Sequence, residues 1–502
     1  TEIHISLPGF TTKILPERAG ELFDMAFDDH ETMLGAHRFA WLPLAQEVVD
    51  PNWVATIWNE WTDRYGEPDN SWAWHPYTTA ERAINIITYS ETNGLPASWQ
   101  DMAATLNLHG KSIIENLEYY GENNTSNHLS NNGRGLYFLG LFLENETYAE
   151  SGIQILLNEA ERIFLPSGIL REGSSHYHFL LTKNYISAWI AAKRYNRPES
   201  GKLKMIARRA LAVIPRLVLT GGLPLVGDIS PDCPPSHLSF LAAGGGQWLN
   251  SLDKENRDSF FKLRESCRPV NQDILRSDGW LRFDFEGWSG LWHADPSGWS
   301  HMPGHGHQDC GGLELHFKDT PLFVDPGRGS YGETGVPAWE RSAYNQSTLI
   351  IDGQDPYPPN KPYYSRLFRE KICGGSPVFF VGGDFIELSY DGYTRLTGLG
   401  RVTTKWHFTE STLVLEDSIL GEGRHKVERF FYTPFTLERH GASIRMELGN
   451  QKYLATSSDG FFEIDQSVRW TEYGKSSPVS LMRFTSYSHL PKKYIIEVQR
   501  IS

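Results

Sequence analysis

Cysteine is scarce. The 502-residue chain has four, Cys233, Cys267, Cys310 and Cys373, far apart and with no Cys-x-x-Cys pair. That usage argues against a disulfide framework and against a thiolate metal centre. Long apolar runs are missing too: the stretch at 138–142 falls far short of the roughly 20 residues that span a bilayer. Positive charge is in deficit, with 47 Lys and Arg against 61 Asp and Glu and a formal net charge of −14. This balance argues against nucleic acid as a partner and against a hold on anionic membranes. It leaves room for a local basic cleft and an acidic substrate. The first residues, Thr1-Glu2-Ile3-His4, form neither a basic nor an apolar leader. The expectation is a periplasmic or secreted protein if a signal was removed, and a cytoplasmic one otherwise. Gly244-Gly245-Gly246 and Gly398-Leu399-Gly400 lack the strand–turn–helix setting of a phosphate loop, so no nucleotide is expected.

What is present reads as a globular protein of several domains. Helical patterns follow one another at 51–65, 96–119, 129–143, 148–164, 179–194, 201–219 and 236–249. Another begins at Thr78-Thr79-Ala80-Glu81, which has capping-box spacing, and continues with Ala83, Ile84, Ile86 and Ile87 as an apolar face. Short connections rich in Asn, Gly and Pro separate these units, as in stacked helix pairs. Beyond 266–277 the texture changes to short alternating segments: 280–285, 313–317, 348–352, 386–390, 402–408, 412–417, 426–432, 443–448 and 494–501. The expectation is an α+β multidomain chain, with a helical domain over 1–268 and an antiparallel β domain over 269–502.

Four polar clusters stand out. His301-Met302-Pro303-Gly304-His305-Gly306-His307-Gln308-Asp309 is the densest, and Asp325-Pro326-Gly327 could bring a carboxylate to it. His-x-His with Asp is a reasonable metal set, and a hydrogen-bonded turn explains it equally well. Asn123-Asn124-Thr125-Ser126-Asn127-His128 precedes a helix carrying Asn131, Asn132 and Arg134; capping explains the asparagines but not His128. Gly173-Ser174-Ser175-His176-Tyr177-His178 also leads into a helix, and Tyr with His can move protons. Gly227-Asp228-Ile229-Ser230-Pro231-Asp232 offers either a glycosidase carboxylate pair or an Asx-turn loop. Trp53, Trp58, Trp61, Trp72 and Trp74 either fill helix interfaces or stack on sugar rings.

In order and spacing these motifs together resemble the heparinase II/III-like polysaccharide lyases. The resemblance rests on Asn127-His128, Tyr177-His178, Asp228 and Asp232, Gly304-His305-Gly306-His307-Gln308-Asp309, Asp325-Pro326-Gly327 with Tyr331, and Arg341-Ser342 leading to Asp352-Gly353. It implies an N-terminal (α/α) toroid, often incomplete, facing a C-terminal antiparallel β-sandwich, with an anionic polysaccharide or oligosaccharide in the cleft between them. By similarity Asn127 and His128 neutralise a uronate carboxylate, while Tyr177 and His305 handle protons. Arg134, His178, Asp228, Asp232, Tyr331 and Tyr344 are expected around the substrate. The resemblance also implies a structural divalent metal, usually zinc, on His307 and Asp325. The third zinc ligand of the family is a His, and Gln346 stands in its place here. An amide oxygen is a poorer zinc ligand than imidazole.

The implied chemistry is β-elimination: loss of the uronate C5 proton and expulsion of the C4 oxygen. Tyr177 could serve as both base and acid if these lie on one face. Otherwise His305 is the base and Tyr177 the acid. Two other readings compete, a glycoside hydrolase using Asp228 and Asp232, and a non-catalytic glycan-binding relative in polysaccharide biosynthesis.

Overall fold

The computed structural model describes residues 2–45, 49–243, 247–298, 304–359, 361 and 364–501. His301 and the glycine run at 244–246 lie outside them. The expected patterns fold as α-helices at Pro51–Tyr65, Pro76–Asn93, Trp99–Glu115, His128–Phe142, Glu146–Ile163, Ser175–Arg194 and Ser200–Leu211. Asp50, Ser98, Asn145 and Ser174 each cap a helix by accepting a hydrogen bond from the first turn. Thr78 and Thr79, read as a cap, instead lie inside a helix that starts two residues earlier at Pro76, where a proline at the first position costs no hydrogen bond. His128–Phe142 packs against Pro76–Asn93 on one side and Glu146–Ile163 on the other. Trp53, Trp58, Trp61 and Trp74 are buried in this helical core, and the guanidinium of Arg82 lies 3.9 Å from the Trp61 ring; Trp72 alone of the five is half exposed.

The helix expected over 236–249 is replaced by 3₁₀ turns at Pro235–Leu241 and Gln247–Ser251. Pro234 and Pro235 restrict its start, and the short turns need no long hydrogen-bond ladder. A hairpin, Ile3–Leu7 with Phe10–Ile14, precedes the helices and was not read from the sequence. Its Gly9 tip meets the turn at Gly474: a Cβ there would lie 3.2 Å from the Gly474 Cα. Close by, the Tyr473 hydroxyl donates to Asp29 at 3.0 Å, so the helical half is latched to the β half.

All strand pairings are antiparallel. An eight-stranded sheet runs from Thr436–His440 at one edge to Val378–Val381 at the other, and two four-stranded sheets accompany it. Alternation decides the central strands: Val402, Thr404, Trp406 and Phe408 of Leu399–Phe408 face the core, with Leu413, Leu415, Asp417 and Ile419 of its neighbour. Every expected β segment falls on a strand. Trp288–His293 and Gln451–Ser457 are among the strands that were missed. The first is buried along its whole length and shows no alternation.

Candidate active site

Three loops meet between the two halves. His305 N donates to Glu172 O at 2.9 Å, Asp228 N donates to His305 O at 2.8 Å, and the Ser174 hydroxyl donates to Asp228 O at 2.7 Å. Glycine makes this approach feasible. Gly227 has φ +75°, and a Cβ there would sit 2.5 Å from Gly173 O and 2.8 Å from His305 O. Gly173, at φ +71°, would put one 2.9 Å from the Gly306 Cα. The Gly-Ser and Gly-His-Gly motifs therefore let backbone from both halves touch.

On the helical side Asn127 occupies the N-cap position of His128–Phe142, yet its side chain caps nothing. Its backbone N–H and its Nδ2 both donate to the buried Glu172 carboxylate, at 2.7 and 2.8 Å, and Nδ2 lies 3.2 Å from His305 Nε2. His128 projects to the cleft rim, with its side chain 41% exposed and its Nδ1 2.8 Å from Glu118. Burial opposes charge on this ring, but the Glu118 carboxylate outweighs it and the His128 pKa is raised. Burial also works against the Glu118 carboxylate, and the neighbouring His128 more than offsets that, pulling its pKa down to about 2. Asp232 is engaged by Arg38 at 2.9 Å and by the Tyr77 hydroxyl.

Below the rim lies Asp228, fully buried. It accepts from His305 Nδ1 at 3.0 Å, His307 Nε2 at 2.8 Å and Arg328 Nη2 at 2.7 Å. Burial alone would raise its pKa, but Arg328 and the two imidazoles hold it well below the carboxylate range. These partners assign the His305 tautomer. Nδ1 must carry hydrogen to face the carboxylate, so Nε2 keeps its lone pair toward the Asn127 amide.

Tyr177 lies face to face on His305, with ring centroids 3.5 Å apart and planes 9° from parallel. Its hydroxyl is 2.6 Å from that of Tyr331, which in turn donates to Ile229 O at 3.2 Å. Burial, reinforced by the nearby Asp232 charge, holds the Tyr177 phenol well above its usual pKa. The group keeps its proton.

The three residues expected to hold zinc are tied to protein neighbours. His307 directs Nε2 at Asp228, and its Nδ1 accepts from Gln346 Nε2 at 3.0 Å. The same amide nitrogen lies 3.4 Å from the Glu340 carbonyl, while the buried Gln346 Oε1 has no hydrogen-bond partner. Asp325 accepts from Gly327 N within its own loop. Among the described residues no group of three His, Cys, Asp or Glu side chains is gathered as metal ligands.

Three residues expected around the substrate meet other partners. His178 is buried inside the helical half, where its Nδ1 accepts from Leu170 N and its Nε2 meets Ala210 O; burial lowers its pKa to about 4, and its role is structural. Arg134 is turned from the cleft onto Glu81. The Tyr344 ring packs on Phe430, 5.7 Å between centroids. Sequence reasoning missed Glu118, Glu172 and Arg328. Glu172 immediately precedes the Gly173 motif and Arg328 follows Asp325-Pro326-Gly327, so both adjoin segments that were singled out.

The β half has known relatives. Residues 275–494 match the family described as heparinase II/III-like, C-terminal. No curated protein matches the chain by sequence. Among solved structures, one titled heparinase III is similar with TM-score 0.71 and 14% identity, covering 95% of this chain and 78% of that one. A heparan sulfate lyase from Pedobacter heparinus, solved as a mutant, gives 0.62 and 15%, again over 95% and 78%. The chondroitin AC lyase of Streptomyces coelicolor, solved with chondroitin sulphate, gives 0.52 and 11% over 96% and 78%. At such identities the likeness establishes the fold, a helical toroid followed by an antiparallel β-sandwich.

Proposed function

We propose that this chain, which carries a heparinase II/III-like C-terminal region, is a polysaccharide lyase that cleaves a uronate-containing anionic polysaccharide by β-elimination. The observation that carries the reading is the convergence of Asn127, Tyr177 and His305, drawn from both halves onto one point of the cleft. The C5 proton of a uronate is hard to remove while its carboxylate is fully charged. Donors aimed at that carboxylate stabilise the enolate-like charge as it forms, typically by a few kcal/mol each. Asn127 and His128 are those donors. The His128 cation, sustained by Glu118, neutralises the carboxylate, and the Asn127 N–H that faces His305 Nε2 in the free protein turns to the carboxylate, which bares that lone pair.

His305 is the base. With Nδ1–H held by Asp228, its Nε2 lone pair takes the C5 proton, and Asp228 stabilises the imidazolium that results. Tyr177 is the acid: its raised pKa suits donation to the departing C4 oxygen and makes it a poor resting base. Electrons from the C5–H bond form the C4–C5 double bond as the C4–O bond breaks, so proton and leaving group are both accounted for. No step runs through a metal. The hydrolase reading asks Asp228 or Asp232 to donate a proton, yet Arg328 and two histidines hold Asp228 as a carboxylate, and Arg38 and the Tyr77 hydroxyl engage Asp232. Incubation with alginate, glucuronan, hyaluronan, heparan sulfate and bacterial capsules, followed in the ultraviolet, tests the proposal. Absorbance growth with one or more of them is expected, and chain shortening without any absorbance would contradict elimination.

A further inference from the structure

Glu172 is fully buried, and among the described residues no Lys or Arg forms an ion pair with its carboxylate. His305 Nε2 lies 3.6 Å from it. Its neighbour Arg171 is turned aside, to the carbonyls of Thr125 and Glu122. Burying a carboxylate without a fixed cation is costly, and packing alone is served better by an apolar chain. What meets the charge is Asn127. Its backbone N–H donates to Oε1 at 2.7 Å and its Nδ2 donates to Oε2 at 2.8 Å. A carboxylate can accept at both points, whereas an amide can accept at one. The backbone carbonyl of Glu172 also accepts from His305 N at 2.9 Å, so one residue grips both Asn127 and the base.

An asparagine amide donates at one end and accepts at the other, and a half-turn exchanges the two. An ionised carboxylate accepts only, so Glu172 must face the nitrogen. With one Nδ2 hydrogen given to Glu172, the second faces His305 Nε2 at 3.2 Å and is left for a substrate carboxylate. Released from Glu172, the amide can present Oδ1 instead, and that oxygen repels the charge it should stabilise. We propose that Glu172 is a positioning residue for the elimination, fixing the Asn127 amide with an N–H toward the uronate carboxylate. The effect on rate rests on the lyase reading, whereas the orientation of the amide does not. Because the charge to be stabilised grows as C5 loses its proton, losing that orientation lowers kcat more than it raises KM.

Two measurements on the full chain test the proposal. With asparagine labelled by ¹⁵N, the Asn127 side-chain amide is the signal lost in Asn127→Ala. One of its protons should lie downfield and exchange slowly, and in Glu172→Gln it should move upfield and exchange faster. In kinetics on the cleaved polymer, Glu172→Gln should lower kcat about 10²-fold with KM little changed. Asn127→Ala should lower it roughly 10²–10³-fold, and the double variant should be no slower than Asn127→Ala alone. Glu172→Asp keeps both oxygens but withdraws them by one methylene, and should fall between parent and Glu172→Gln. If Glu172→Gln does not fold, Glu172→Asp carries the same comparison with Asn127→Ala. Losses that multiply in the double variant, or an Asn127 signal unmoved by substitution at Glu172, overturn the proposal. A chain with the expected amide shift but no ultraviolet product from any uronate polymer loses the lyase reading and keeps the orientation. An active lyase whose Glu172→Gln variant keeps more than about half of parental kcat loses the positioning role alone.

Discussion

At the rim of the cleft an ionised imidazole meets solvent: the His128 side chain is 41% exposed above the buried Glu118 carboxylate. At the floor, Asp228 and His307 are sealed from water and Asp228 is shared by three donors. A charge at the rim can exchange its water for a substrate carboxylate. A charge at the floor cannot, because it is closed off from water and held by three donors, and so it orients other groups instead. The same ionic chemistry thus serves recognition at one depth and positioning at the other.

Removing the proton donor between the two layers should have the largest effect. Tyr177→Phe keeps the ring on His305 and deletes one hydroxyl, so kcat should fall roughly 10²–10⁴-fold, about 3–5 kcal/mol of barrier. KM and the melting temperature should change little. A variant retaining more than about a tenth of parental kcat would move the acid elsewhere, with Tyr331 the next candidate.

At the floor, Asp228→Asn strips the buried Arg328 of its carboxylate. Leaving one member of a buried pair costs about 3–5 kcal/mol, to be read in denaturant melts. Activity should fall as well, because nothing then fixes hydrogen on His305 Nδ1. Loss of stability under 1 kcal/mol would mean that the floor charge is not structurally committed in the way the comparison requires.

The rim should respond to pH. His128 has a raised pKa, so its cation is present below that pKa and is lost as pH rises through it. Glu118→Gln removes the cause of the rise and should shift the alkaline limb of the kcat/KM profile to lower pH. The carboxylate partner has the opposite sign. The stability that Glu118 contributes is present above its ordinary pKa of 4.5 and is lost as pH falls toward about 2. Acid unfolding of the Gln variant should lack that component. An unmoved alkaline limb would remove His128 from carboxylate recognition.

The smallest effect on turnover is expected from Gln346→His. The new imidazole presents a lone pair where the amide now donates to His307, and it should raise zinc retained after dialysis while leaving activity nearly unchanged. Stoichiometric zinc in the parent protein, surviving mild chelation, would contradict the hydrogen-bonded arrangement of His307 and Gln346.

The parts of this site that could be read from the sequence are those compressed into short glycine-bounded loops. Gly304-His305-Gly306 and Gly173-Ser174-Ser175 announce a close backbone approach as well as the side chains it presents. Partners drawn from distant segments carry no such local signal. Glu172 reaches Asn127 across 45 residues, and Arg328 reaches Asp228 across 100. Arg134 was misplaced because sequence nearness to His128 ignores rotation. Six residues along a helix advance about 9 Å and turn the side chain about 120° away. His178 fails similarly, one position past Tyr177 and so on another face of the same helix. Asn127 shows the converse case. Capping is the commonest use of an asparagine before a helix, and only the structure shows its side chain given to Glu172 and His305 instead.

Mass spectrometry of the products formed in H₂¹⁸O tests the central claim most directly. Elimination conserves the mass of the cleaved chain, so the two fragments should sum to the parent, one should end in an unsaturated uronate, and neither should carry ¹⁸O. Fragments that together exceed the parent by one water and carry one ¹⁸O would establish hydrolysis and contradict the account.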